Sequence, residues 1–216
     1  MGFNYKRTIL IGFAFMSILA FWQFYDQVIP YILENTFGLS TFAANAFMSI
    51  DNVLAVFMLP LFGMLSDKTH TRLGKRTPYI LYGTICASAL LCALAFFERK
   101  QSFAGFITAL MALLVVMATY RSPAVAYMPD VTEKPLRSKG NAIINLVGYI
   151  GGIFATVVMM LMLKTETNAD GQKIYTSSFT PVFLVIAAFM LVSVLIMVFT
   201  VNENKVLKET NLIDDE

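Results

Sequence analysis

Residues 63–78, GMLSDKTHTRLGKRTP, separate two long apolar runs and carry Lys68, Arg72, Lys75 and Arg76 in close succession. Cations packed this densely are too costly to place in hydrocarbon. The stretch is therefore a short solvated connection between two buried runs. Short connections rich in Lys and Arg face the cytoplasm, which sets the direction of the chain on either side.

The rest of the composition agrees. Hydrophobic residues make up 57% of the 216 residues and charged ones 14%, with a mean hydropathy of +0.68. A soluble domain of this size does not have that balance. Six runs of about 20 or more mostly apolar residues are predicted to be helices that cross a bilayer, at 9–33, 42–62, 79–97, 103–128, 142–163 and 181–201. The first is too long for a signal peptide and no small-residue cleavage site follows it.

Lys and Arg on alternate sides divide unequally. Lys6, Arg7, the four cations of the opening stretch, Arg121, Lys134, Arg137, Lys139, Lys205 and Lys208 fall on one side. Only Arg99, Lys100, Lys164 and Lys173 fall on the other. Both termini are thus expected in the cytoplasm. Residues 34–41 and 98–102 read as tight outer turns, and 164–180 as a longer polar outer loop turning at Asn168, Asp170 and Gly171. Residues 202–216 are polar and hold no span, which predicts a solvated tail or the start of a linker.

Several function classes drop out. A net charge of +2, with cations dispersed over loops, gives no footprint for nucleic acid. Cys86 and Cys92 share one apolar run without metal or redox spacing and read as small buried hydrophobes. His70 is the only histidine, so neither a metal site nor a cofactor is expected. No arranged nucleophile and base suggests an enzyme.

Ionisable residues inside spans are functional candidates by default, and three stand out: Asp26, Asp51 and Arg121. Trp22 and Asp26 lie one helical turn apart, with Tyr25 beside them. An aromatic ring next to a carboxylate suits a sugar, whose flat face packs on the ring while its hydroxyls donate to the acid. The alternative for Trp22 and Tyr25 is an interfacial aromatic belt. Asp51 and Asp26 are candidates for proton uptake, Asp51 leading, because burial disfavours a charged carboxylate and access to water restores it. Arg121 either snorkels to the inner interface or, with Tyr120, binds substrate. Asn145 is a candidate cavity residue, whereas the Gly148/Gly152 spacing favours close helix packing.

The opening stretch resembles the loop between helices 2 and 3 of the major facilitator superfamily, with Gly63, Asp67, a following cation and then a basic cluster. The spacing of Thr69, Arg72, Gly74, Lys75 and Pro78 is similar to that of the glycoside–pentoside–hexuronide:cation symporters and the related sucrose-transporter-like group. So is YRSPAVAYMPDVTEKPLRSKGNAIINLVGYIGG at residues 120–152. The resemblance covers the chain as the amino-terminal, six-helix half of an all-α, twelve-helix membrane transporter. It implies that Gly63, Asp67, Arg72, Lys75 and Arg76 form a cytoplasmic gate. The competing reading of those charges is an ordinary positive-inside loop. The sodium-coupled branch carries an acid where Arg121 stands, and a second carboxylate one turn beyond Asp51, where this chain has Ala55. Proton coupling is therefore expected over sodium.

The resulting expectation is a proton-coupled sugar or glycoside transporter in the cell membrane, working by alternating access around a midplane site. Its partners are the bilayer, a small-molecule substrate, and a second six-helix half or a second copy. The alternatives are a non-transporting scaffold or receptor subunit, or an inactive truncated fragment.

Overall fold

The computed structural model describes residues 3–167 and 173–214. The expected turn at Asn168, Asp170 and Gly171 lies outside the described residues. Six helical stretches are long and apolar enough to cross a membrane, so the chain is an all-α, multi-pass integral membrane protein. The first is α1 (Tyr5–Tyr31), extended by a π-helical turn at Ile32–Thr36. Pro30 lies inside α1, where it removes a backbone donor and crowds the preceding turn; the wider π turn follows directly.

The second stretch is divided into α2 (Thr41–Met48) and α3 (Ile50–Lys68). Ser49 sits at the break and donates its hydroxyl to the Asn45 carbonyl at 2.8 Å. A side chain competing in this way for a helical carbonyl interrupts or bends a helix. The sequence predicts one unbroken span here; the break places Asp51 in the first turn of α3.

Then come α4 (Thr77–Arg99), α5 (Phe103–Asp130), α6 (Arg137–Met162) and α7 (Thr180–Thr200). A short antiparallel hairpin, β1 (Thr165–Thr167) with β2 (Lys173–Tyr175), joins the last two. It is anchored where the Tyr175 amide donates to the Tyr31 hydroxyl at 2.9 Å. Residues 203–214, expected as part of a solvated tail, instead form helix α8 (Glu203–Asp214). The reason is local: Asn202 Oδ1 accepts from the Lys205 amide at 3.1 Å, an N-cap, and Glu203 is drawn into the protein.

α1 runs through the centre, packed on α6 and α7, while α4 packs on α5 and α7. Phe21, Phe24, Phe106, Phe183 and Leu110 are fully buried along these seams. α3 is the peripheral element, held chiefly along α5, and exposes Val53, Val56, Phe57 and Met64. Cys86 and Cys92, expected to be buried, are exposed on α4. A membrane protein surrounds its outer face with lipid, so small apolar residues lose nothing there.

The α1–α6 seam depends on small residues, though not the pair expected. A Cβ on Gly151 would collide with the backbone carbonyl of Met16, and one on Gly12 with Val147. Gly148 is pressed by Leu19, whereas Gly152 has nothing nearer than 3.9 Å. Gly151→Val should therefore cost about 1–3 kcal/mol or more by overpacking, while Gly152→Ala should stay within about 0.5 kcal/mol of wild type. Denaturant unfolding in detergent distinguishes the two; equal losses would place the seam elsewhere.

Candidate functional site

Two groups of polar side chains organise the molecule, one where α3 and α5 end and α4 begins, and one among the helices. The first group centres on Arg76, which is 4% exposed. Its Nε donates to Asp130 Oδ2 at 3.0 Å and its Nη1 to the Gly63 carbonyl at 3.1 Å. It also donates to Ser66 Oγ and to Asp67 Oδ1. One planar guanidinium thereby ties the ends of α3 and α5 to the start of α4. Lys75 Nζ adds a contact to Asp130 at 2.9 Å and a longer one to Asp67 at 4.0 Å. Gly63 serves twice, since it also lets α3 approach Ser122, whose hydroxyl donates to the Leu59 carbonyl at 2.7 Å.

Glu203 closes the group from α8. It is fully buried, and its Oε1 accepts from the Lys75 and Arg76 amides at 3.0 Å each. Its Oε2 accepts from the Thr77 amide at 2.8 Å and the Thr77 hydroxyl at 2.7 Å. A carboxylate here satisfies backbone donors that no helical carbonyl can reach and opposes the positive end of the α4 dipole. Gly74 makes room for it: its φ is +120°, and a Cβ there would occupy the space Glu203 fills. Asn204 completes the attachment by donating to the carbonyls of Thr71 and Arg72 at 3.0 Å each.

Of the expected gate residues, Gly63, Asp67, Lys75 and Arg76 are brought together. Arg72 is not. Its side chain is exposed, and Asp67 pairs with Arg76 and Lys75 instead. Ser66, Asp130 and Glu203 were not singled out from sequence. The available signal for Asp130 was an acid placed where a span meets a connection crowded with cations. Glu203 had no such signal, because a single acid in a polar segment looks solvated.

The second group lies between α1, α3 and α5. The guanidinium of Arg121 sits over the Trp22 ring, with its Cζ 5.3 Å from the ring centroid. Tyr25 packs edge-on against Trp22 at 5.3 Å. Asp51 is near enough for its charge to act on both Tyr25 and Asp26. Three polar atoms here are buried without a hydrogen-bond partner: Trp22 Nε1, Tyr25 Oη and Asp51 Oδ1. Buried polar groups are ordinarily satisfied, and these three set the neighbourhood apart as the candidate site.

The direction of Arg121 follows from helix geometry. It stands nine residues before Asp130 in α5, about 14 Å from that charged end. Side chains lean toward the N-terminus of their own helix, and for α5 that is the end away from the Arg76 group. Arg121 therefore reaches inward to Trp22 and does not snorkel to the nearer edge.

The other candidates are placed elsewhere. Tyr120 is fully buried; its hydroxyl meets Ser17 Oγ at 3.4 Å, and its Cβ fills the space beside Gly83. It packs α5 against α1 and α4. The amide of Asn145 donates to the carbonyl and side chain of Asn141, one turn away on α6, and its contacts do not include the Trp22 group. Asp26 is exposed, at the edge of the group. Among the described residues no cluster of His, Cys, Asp and Glu could hold a metal ion.

Comparison with known proteins places the architecture. The model of the Major Facilitator Superfamily matches residues 9–214. Over 113 residues, 51% of this chain, the sequence is 31% identical to a protein of Escherichia coli (strain K12) named "Putative glycoside/cation symporter YagG". Over 111 residues, 50% of the chain, it is 32% identical to the alpha-ketoglutarate permease of the same organism. Each match spans 24% of the relative's own length.

Proposed function

We propose, from the premise that this chain belongs to the Major Facilitator Superfamily, that it is the amino-terminal six-helix half of a secondary active transporter. It carries a sugar or glycoside together with protons by alternating access, in the cell membrane with both termini inside. A second six-helix unit, whether another polypeptide or a second copy, completes the path. The observation that carries this reading is the group of unpartnered polar atoms on Trp22, Tyr25 and Asp51 beside Arg121. Charges at such depth are retained when they line a path for cargo or protons. The resemblance to a protein named as a glycoside/cation symporter supports a sugar as cargo.

The division of labour follows from the two groups. Trp22 and Tyr25 offer donors to substrate hydroxyls. Asp51 takes up a proton when its neighbourhood closes to water and releases it when water returns. The Arg76 group fastens the inner ends of α3, α4, α5 and α8 into one body, so that the bundle can rock as a unit against its partner.

Asp51→Asn tests the coupling. The substitution keeps shape and removes the titrating group, and Asp51 Oδ1 has no partner to lose, so folding stability should change by less than about 0.5 kcal/mol. In liposomes containing the chain with a second six-helix unit and an internal pH dye, sugar-driven acidification should fall at least about tenfold, the scale of removing one proton-transfer group. Acidification at the wild-type rate in Asp51→Asn removes Asp51 as the coupling site.

A further inference from the structure

The start of α1, the end of α7 and the start of α8 enclose a recess of about 410 Å³, within the range of about 300–1,000 Å³ that holds small ligands. Lys6 and Arg7 line it from α1, and Lys205 and Glu209 from α8. Three cations thus face one acid. Arg7 is already engaged: its Nη2 donates to the Val131 carbonyl at 3.3 Å, and its Nη1 stands 3.6 Å from Glu209 Oε2. Lys6 and Lys205 are exposed, and among the described residues neither ammonium makes an ion pair or a hydrogen bond. Like charges gathered without counterions repel one another, so this recess favours an anion.

Its place in the fold narrows the choice of anion. Leu10 and Thr200 also line it, and their chain neighbours Ile9 on α1 and Phe199 on α7 expose apolar side chains. Exposed apolar groups on a membrane-spanning helix face lipid tails. The recess therefore meets the bilayer at the ends of two spans, where hydrocarbon gives way to headgroups.

We propose that this recess holds the headgroup of an anionic phospholipid, with Lys6 and Lys205 on its phosphate oxygens and an acyl chain along Leu10 and Phe199. Lysine suits the task, because its methylenes lie along apolar surface while the ammonium reaches the headgroup. Cations beside a membrane span attract anionic lipid with a strength that grows with each Lys or Arg. The positive end of α1, whose first turn carries no acid, adds to the same field. A lipid bound there bridges α1 and α8. The site is separate from the Trp22 group and serves any cargo.

Native mass spectrometry of the purified full chain reads this site directly. Dioleoyl phosphatidylglycerol should form a single-lipid adduct at a concentration at least about tenfold below dioleoyl phosphatidylcholine, which has the same tails and no net charge. Lys6→Gln combined with Lys205→Gln should bring the two lipids within about threefold of each other. Lys68→Gln combined with Arg72→Gln removes the same charge at exposed positions before α4 and should keep the preference. Circular dichroism and elution volume establish that both double variants fold.

Equal binding of the two lipids by the unaltered chain would overturn the proposal. So would a preference that survives in Lys6→Gln with Lys205→Gln. An equal loss in both double variants would assign the preference to overall charge and remove the recess as its cause. Inorganic phosphate that displaces phosphatidylglycerol at the same concentration would make the occupant a soluble anion and overturn the lipid. None of these outcomes depends on what the Trp22 group binds.

Discussion

Glu203→Ala should lower the unfolding free energy by about 3–5 kcal/mol, the largest loss expected from any single polar substitution in this chain. The carboxylate is fully buried and accepts from the amides of Lys75, Arg76 and Thr77 and from the Thr77 hydroxyl. Its removal strands three backbone donors, and a buried donor without a partner costs about 1–3 kcal/mol. Water reaching the partly exposed Lys75 keeps the total below the simple sum. Glu203→Gln retains one acceptor oxygen but turns an amide toward donors, so about half the loss should remain. Unfolding by denaturant in detergent gives the numbers, and limited proteolysis gives the location: the segment after Asn202 should become cleavable. A loss under about 0.5 kcal/mol would mean that α8 does not cap α4 in solution.

The second large effect separates two arginines that look alike in sequence. Arg76→Ala should cost about 2–4 kcal/mol, because it leaves Asp130, Asp67 and the Gly63 carbonyl without their shared donor. Breaking a buried pair by removing one partner reaches about 3–5 kcal/mol. Here Asp67 is half exposed and Lys75 still neutralises Asp130, which reduces the penalty. Arg72→Ala should change stability by less than about 0.5 kcal/mol, since the Arg72 side chain is exposed. Arg76→Lys should recover little, because a point charge cannot reproduce the planar fork that reaches both α3 and α5. Equal effects of Arg72→Ala and Arg76→Ala on unfolding would contradict the arrangement of the Arg76 group.

Under the proposed function, substitution of Arg76 also bears on transport. If the Arg76 group makes the inner helix ends one rigid body, then loosening it slows the change of access more than it weakens substrate binding. Arg76→Lys should reduce the maximal uptake rate several-fold with little change in the substrate concentration at half-maximal uptake. The reverse pattern would assign Arg76 to the binding step.

The six membrane helices were open to inspection in the sequence, because an apolar run long enough to cross a bilayer has few other uses. The helices outreach those runs at several ends. α1 begins at Tyr5 and α3 continues to Lys68, since helical hydrogen bonding does not stop where hydrocarbon does. The division at Ser49 was hidden, because a serine in an apolar run carries no mark of where its hydroxyl will point. Asp51 and Arg121 were readable as candidates from the cost of placing charge in lipid, and Trp22 and Tyr25 as aromatic rings beside the Asp26 carboxylate. That Trp22 holds Arg121, and that Tyr120 and Asn145 pack away from them, depended on helix rotation.

Composition and charge asymmetry by themselves determined the class of this protein, its number of spans and the residues too expensive to be incidental. Tertiary structure alone decided which charge meets which. Asp67 turns to Arg76 and passes over Arg72, and Glu203 crosses from the end of the chain to cap α4. Hydrophobic burial depends on local sequence and has a readable period, whereas a salt bridge or a cap depends on where the folded chain brings two groups, whether nine residues apart as for Asp67 and Arg76 or 126 apart as for Glu203 and Thr77.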